Sequence, residues 1–260
     1  MSTAGAEDLS AEHRDAATLA TMAGRALLEL QSSPMPPTHF RDMGAAGDRL
    51  ANQLLVGELT RLYPNDRVRS EEGGLEDVSG DGRLWIIDPL DGTREFRQLN
   101  RSDWAVHVAL SIGGIAVVGA VALPALDITI STGHPPTLEP LTPGAPPRIV
   151  VSRSRPPEVA YDVADSIGGV MIPMGSAGAK IAAVILGAAE AYVHAGGQYE
   201  WDSAAPVAVA QAAGLHACRL NGEPLRYGAV DAWLPDLMVC RPELADAVLA
   251  VTTRYYRPFY

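Results

Sequence analysis

The 260-residue chain carries 31 Asp and Glu against 20 Lys and Arg, a formal charge of −11, with 47% hydrophobic and 20% charged residues. That composition can bury a core and lies far from disordered chains, and its acidity argues against nucleic-acid coating or anionic-membrane binding, which need a basic face. Nineteen of the 20 bases are arginine, leaving Lys180 as the one lysine.

The start of the chain, Met1 to Asp8, is small and acidic, with neither the basic nor the apolar region of an export signal. Ser10 is placed to cap a helix whose apolar residues Leu19, Ala23, Ala26, Leu27 and Leu30 recur at helical spacing, and Pro34, Pro36 and Pro37 stop it. A second helix fits Asp48 to Leu62, with Leu50, Leu54, Leu55, Leu59 and Leu62 on its buried side, before Pro64-Asn65-Asp66 turns the chain. Strands are expected at Arg67–Ser70, Leu84–Asp88, Ala105–Ile112, Ile115–Leu123 and Ile128–Ser131, the last three as an antiparallel meander. The uncharged stretch Trp104 to Leu126 is long enough for a membrane span, but His107, Gly113-Gly114, Gly119 and Pro124 break it into two strands.

Six prolines between Pro135 and Pro147 mark a linker and divide the chain into an N-terminal part, 1–147, and a C-terminal part, 148–260. Beyond it strand and helix alternate: strands at Arg148–Ser152, Val170–Pro173, Ala191–His194 and Leu237–Cys240, helices at Pro156–Ser166, Ser176–Ala188, Asp202–Ala213 and Pro242 to Arg254. Asn221-Gly222 reads as a hairpin-type turn. Cys218 and Cys240 lie in apolar stretches and fit buried thiols in a reducing compartment. A soluble, cytoplasmic protein is expected.

The chemistry gathers in acids at unusual places. Ser70-Glu71-Glu72-Gly73-Gly74 sets two carboxylates at a strand end, and the apolar run Trp85-Ile86-Ile87 leads straight into Asp88-Pro89-Leu90-Asp91-Gly92-Thr93. Asp88 before Pro89 is kept extended, Asp91 can swing back beside it, and Gly92 and Thr93 can offer amides to an anion. Glu71, Asp88 and Asp91 would repel one another unless a cation lies among them, and all-oxygen ligands favour magnesium, manganese or calcium over zinc. Taken singly, Asp-Pro and Asp-Gly are turn formers, and Asp48 and Asp202 read as helix N-caps.

Together these acids follow one pattern. Asp48, Glu71-Glu72, Asp88-Pro89-Leu90-Asp91-Gly92-Thr93 and Trp201-Asp202 leading to Gly214 resemble the lithium-sensitive, magnesium-dependent phosphomonoesterase superfamily that includes inositol monophosphatases and fructose-1,6-bisphosphatases. The likeness departs from that pattern at Gly214-Leu215, where the superfamily carries a glycine pair, and around Phe40 to Asp42, where an upstream basic residue is not clear. Arg94-Glu95-Phe96, Glu200 before Trp201-Asp202, and Gly175-Ser176-Ala177-Gly178-Ala179-Lys180 resemble the branch of CysQ-type 3'-phosphoadenosine 5'-phosphate phosphatases. Ala195 and Gly196 stand where inositol enzymes carry an acid for ring hydroxyls.

The resemblance implies a layered αβαβα fold, α+β in its N-terminal antiparallel part and mixed α/β in its C-terminal part. It implies magnesium-assisted hydrolysis without a covalent enzyme intermediate, in sulfur assimilation, with Mn2+ able to substitute. Glu71, Asp88 and the Leu90 carbonyl would hold one ion, and Asp88, Asp91 and Asp202 a second; a third, weaker ion would lie near Glu71 and Glu72. Thr93 and Asp48, with Glu72 nearby, would orient water and take its proton. Glu71, Leu90, Asp91, Gly92, Thr93 and Asp202 would surround the substrate phosphate, and Ser176, Lys180 and His194 would meet the rest of a bisphosphonucleotide. Lys180 could equally be a snorkelling surface lysine, and His194 a satisfied strand-end histidine. The resemblance is also consistent with a homodimer. The competing expectations are an inositol-1-phosphate or fructose-1,6-bisphosphate phosphatase, and a metal-binding regulatory protein without catalysis.

Overall fold

The computed structural model of the protein describes residues 8–33, 40–73 and 82–255. The N-terminal residues 1–7 and the proline stop at Pro34, Pro36 and Pro37 lie outside them. Helix α1 spans Ser10–Ser32 and buries Ala16, Leu19, Ala20, Ala23 and Leu27 along one stripe. Its first turn is capped from further upstream than expected: Asp8 Oδ1 accepts the Ser10 amide at 3.0 Å and the Ser10 hydroxyl at 2.5 Å, so the carboxylate rather than Ser10 takes the free donor.

Helix α2 runs Phe40–Leu62 and therefore starts well before the expected Asp48. The glycines that suggest a helix boundary are instead contact points. A Cβ at Gly44 would stand 2.5 Å from Arg97 Nε and 2.6 Å from Thr93 Cγ2, and one at Gly47 would stand 3.1 Å from Leu90 and Phe96. They let α2 lie against the segment after strand β2, and they leave Asp48 inside a helix, where it cannot be an N-cap. Leu55 and Leu59 are buried as expected, whereas Leu50 and Leu62 are exposed.

Strands β1 (Arg67–Ser70), β2 (Arg83–Asp91), β3 (Ala105–Ile112), β4 (Ile115–Leu123) and β5 (Ile128–Ser131) form a five-stranded sheet in chain order. β1 is parallel to β2, β2 is antiparallel to β3, and β3, β4 and β5 form the expected meander. β2 continues past Asp88 through Pro89 and Leu90, with a register shift against β3 between Asp88 and Asp91. Strict alternation would send residues three apart to opposite faces, and the extra residue returns both carboxylates to one side. Proline is tolerated there because a bulge needs one ladder donor fewer.

The second sheet, again five-stranded, has the order β7-β6-β8-β10-β9, from β6 (Arg148–Ser152), β7 (Val170–Met174), β8 (Ala191–Tyr199), β9 (His216–Cys218) and β10 (Trp233–Cys240). β6 is parallel to β7 and β8, and β10 is antiparallel to β8 and β9. The short edge strand β9 has no signal in the sequence, and β8 and β10 outrun their expected ends through a bulged stretch where Gly196 and Gly197 have positive φ. A short helix α3 (Thr93–Phe96) follows β2; α4 is Glu158–Ile167, α5 Ala177–Ile185, α6 Ala204–Ala212 and α7 Ala245–Thr252.

Five layers result. Trp85, Ile87, Val106, Val108 and Leu110 pack outward on α1 and α2, while Leu84, Ile86, Ala105 and Ala109 face inward. That inner core is shared with Val150, Tyr192, Leu237 and Val239 of the second sheet through α5 and α6. Ile149, Val151, Val193, Met238, Cys218 and Cys240 pack on α4 and α7. The order is α-β-α-β-α, as expected from the resemblance, and sheets covered on both faces explain the nearly continuous apolar strands. Both cysteines are buried and free. No helix among the described residues is long and apolar enough to cross a membrane.

Candidate active site

The bulged end of β2 meets the N-terminus of α5. Asp88 is 2% exposed and its Oδ1 accepts the Leu90 amide at 3.0 Å, which locks the bulge. Asp91 is held by α5: Oδ2 accepts the Ser176 hydroxyl and the Gly178 amide, each at 2.6 Å, and Oδ1 accepts the Ala177 amide at 3.1 Å. Ser176 caps that helix with φ +47°, its Oγ accepting the Ala179 amide at 2.9 Å. Gly92 has φ +92°, and a Cβ there would lie 3.1 Å from Ser176 Cβ and 3.2 Å from the Asp103 carbonyl, so both backbone and space demand glycine.

Thr93 Oγ1 stands 3.2 Å from the Leu90 carbonyl and 3.4 Å from Asp48 Oδ1, the latter reaching in from the middle of α2. Glu71 and Glu72 sit on the short 3-10 turn after β1, with the Glu72 amide donating to Ser70 Oγ at 3.3 Å. Asp202 ends a second 3-10 turn, Glu200–Asp202, and accepts the Tyr199 amide at 2.7 Å; α6 starts only at Ala204, so Asp202 is not its cap.

These carboxylates perturb one another. Burial, then Asp91, Glu71 and Asp202, hold the Asp88 carboxyl well above the usual range. Burial and then the Asp91 charge push Asp202 up to about 7. Glu71 is raised to about 7 by burial and then by Asp48 and Asp91, against a hydrogen bond with Asp88 that lowers it. Asp48 is raised to about 6 by burial and then by Glu72. A set of oxygen donors that repel in this way fits a hard divalent cation, which would replace the protons.

His107 is the residue the sequence reading missed. It is fully buried on β3, paired with Asp88 in the ladder. Its Nδ1 lies 3.0 Å from the Trp201 carbonyl and its Nε2 3.3 Å from Asp91 Oδ2. Among the described residues Asp88, Asp91 and His107 form the one group of metal-competent side chains whose ligand atoms all lie within 4.8 Å of one another. A Cβ at Gly178 would come 1.9 Å from His107 Nε2, so the glycine admits the ring against α5. A histidine inside an otherwise apolar strand was the available signal. Asp103 was also missed; it accepts the Gly175 amide at 2.6 Å and pairs with Arg101 and Arg153.

Lys180 is not on the surface. It is 5% exposed, and its ammonium donates to the Ser176 carbonyl and, at 3.3 Å, to the Gly175 carbonyl, over the Tyr192 ring. This bracing holds the loop that carries Ser176 and does not place the ammonium in open space. Burial lowers its pKa. His194 Nε2 lies 2.9 Å from the Gly197 carbonyl on β8.

The family model described as "Inositol monophosphatase family" matches residues 17–135 and 149–253. The chain belongs to the inositol monophosphatase family. Within that family it is 46% identical over 259 residues, 94% of this chain and 95% of the relative, to the 3'-phosphoadenosine 5'-phosphate phosphatase of Mycobacterium leprae (strain TN). The 3'(2'),5'-bisphosphate nucleotidase CysQ of Escherichia coli (strain K12) is 29% identical, with 83% of this chain and 94% of the relative covered. The crystal structure of CysQ from Bacteroides thetaiotaomicron superposes with a TM-score of 0.77 at 28% identity, covering 90% of this chain and 98% of that one.

Proposed function

We propose that this inositol monophosphatase family member is a magnesium-dependent phosphomonoesterase that removes the 3'-phosphate of 3'-phosphoadenosine 5'-phosphate, leaving AMP and phosphate, with 3'-phosphoadenylyl sulfate as a second substrate. The observation that carries it is the convergence of Asp88, Asp202 and Glu71, whose carboxyls are raised by burial and then by one another and Asp91, around Asp91, which the N-terminus of α5 holds in place. Glu71, Asp88 and the Leu90 carbonyl would hold one divalent ion, and Asp88, Asp91 and Asp202 another. Such ions supply neutralising charge for the phosphate and lower the pKa of water.

The chain's own groups do the rest. Ionised Asp48 accepts the Thr93 hydroxyl hydrogen, which turns a Thr93 lone pair toward an attacking water and gives its proton a path to a carboxylate of pKa about 6. The α5 donors keep Asp91 pointed at the site while Asp88 stays in its bulge. The Gly92 and Thr93 amides would bind phosphate oxygens. A cavity of about 930 Å³ lies apart from this cluster, beside α4, lined by Pro157, Val159, Gly197, Trp233, Asp236 and Tyr255, and none of the carboxylates named above lines it. Neither Ala195 nor Gly196 can hydrogen-bond an inositol ring through a side chain, which favours the nucleotide over the inositol ester.

Steady-state phosphate release with Mg2+ tests the choice. The expected kcat/KM for 3'-phosphoadenosine 5'-phosphate exceeds that for inositol 1-phosphate by about 10²-fold or more, the range that polar and shape complementarity to one leaving group supplies. A higher value for the inositol ester would overturn the assignment.

A further inference from the structure

We infer that the buried ion pair of Arg69 and Glu200 is a positioning clamp that sets the spacing between the two halves of the metal site; this rests on the metal-dependent reading above. Arg69 lies on β1, two residues before Glu71, and Glu200 opens the turn that ends in Asp202. The residues are 131 apart in sequence, and their side chains are 1% and 2% exposed. Arg69 Nη1 donates to Glu200 Oε1, while Glu200 Oε2 accepts the Gly228 amide at 2.7 Å and the Glu200 amide donates to the Ala232 carbonyl at 2.8 Å.

Each partner stands at the margin of its own sheet. β1 is an edge strand that pairs only with β2, and the turn 200–202 follows the end of β8. Neither ladder therefore sets the distance from Glu71 to Asp202, and the ion pair joins the two segments directly. The pair is also poorly arranged for stability. Arg69 Nε and Nη2 are buried with no hydrogen-bond partner among the described residues. A buried ion pair with unpaired donors contributes little net stability, and what it offers is a fixed register between the groups it joins.

The clamp separates two properties that a structural pair would change together. The test compares wild type with Arg69→Met/Glu200→Leu, which replaces the pair by apolar side chains, and with Glu200→Gln, which keeps the hydrogen-bonding shape without the charge. Mn2+ binding is measured calorimetrically on the full chain without substrate, alongside metal-free thermal melting. The double variant is expected to melt within about 3 °C of wild type or above it, yet to bind Mn2+ about tenfold or more weakly, the range seen when groups that orient metal ligands are removed. Glu200→Gln is expected to weaken Mn2+ binding in the same direction, and it carries the test if the double variant does not fold. Wild-type Mn2+ affinity in the variants, whatever their melting temperatures, would overturn the clamp while leaving the phosphatase reading intact. A wild-type chain that binds no Mn2+ would overturn both.

Discussion

Asp91→Asn is expected to abolish magnesium-dependent phosphate release, with a fall in kcat of about 10³-fold or more. The carboxylate has two jobs in one place. It would carry negative charge toward a cation shared with Asp88 and Asp202, and it accepts three donors from Ser176, Ala177 and Gly178. An asparagine amide keeps one acceptor oxygen but turns an NH2 group toward another donor, so it loses the charge and opposes the α5 N-terminus. Loss of several kcal/mol of metal-assisted transition-state stabilisation corresponds to about three orders of magnitude in rate. The measurement is phosphate release across a Mg2+ titration, with a melting curve to show that the variant is folded. Activity surviving in a folded variant would refute the role given to Asp91.

The second large effect is on stability. Asp48, Glu71, Asp88 and Asp202 all have folded-state pKa values raised above their unfolded ones. A raised carboxyl favours the folded state when protonated, so its contribution is fully present below the unfolded value near about 4 and is lost as pH climbs through the folded value. For Asp48, Glu71 and Asp202 that climb ends at about 6 to 7. The metal-free protein is therefore expected to melt about 5 °C or more lower at pH 8 than at pH 5.5, equivalent to about 2 kcal/mol after allowance for the exposure of Glu71. Saturating Mg2+ at pH 8 should restore the lost stability, because the ions replace the protons. A metal-free melting temperature that is flat or rises over that interval would contradict this electrostatic account.

What could be read in advance follows from how local each signal is. Trp85-Ile86-Ile87-Asp88 carries its strand and its acid in adjacent residues, and the alternation of Leu84 and Ile86 against Trp85 and Ile87 sets both faces of β2. The layer order follows from the family resemblance and from no local pattern. Asp48 was harder, because Gly44 and Gly47 look like helix breakers until Thr93, Leu90 and Phe96 are packed against them. Tertiary contact outweighed local propensity there. Asp202 looked like the cap of a helix, and a separate 3-10 turn took its place. His107 shows in the sequence only as a histidine in an apolar strand, and its partner 94 residues away, like the pairing of Arg69 with Glu200 across 131 residues, has no local pattern. The rarity of Lys180 marked a special position, but its carbonyl partners at Gly175 and Ser176 are a property of the folded loop.

The charge of −11 is concentrated in part at one site. Asp48, Glu71, Asp88, Asp91 and Asp202 meet at the end of β2, where an anionic substrate would be repelled unless cations intervene. The most direct measurement is anomalous diffraction from crystals soaked in millimolar Mn2+ with the product nucleotide. Two manganese peaks are predicted, one against Glu71, Asp88 and the Leu90 carbonyl, the other against Asp88, Asp91 and Asp202. An empty carboxylate cluster under those conditions, or ions bound away from Asp88, would contradict the account.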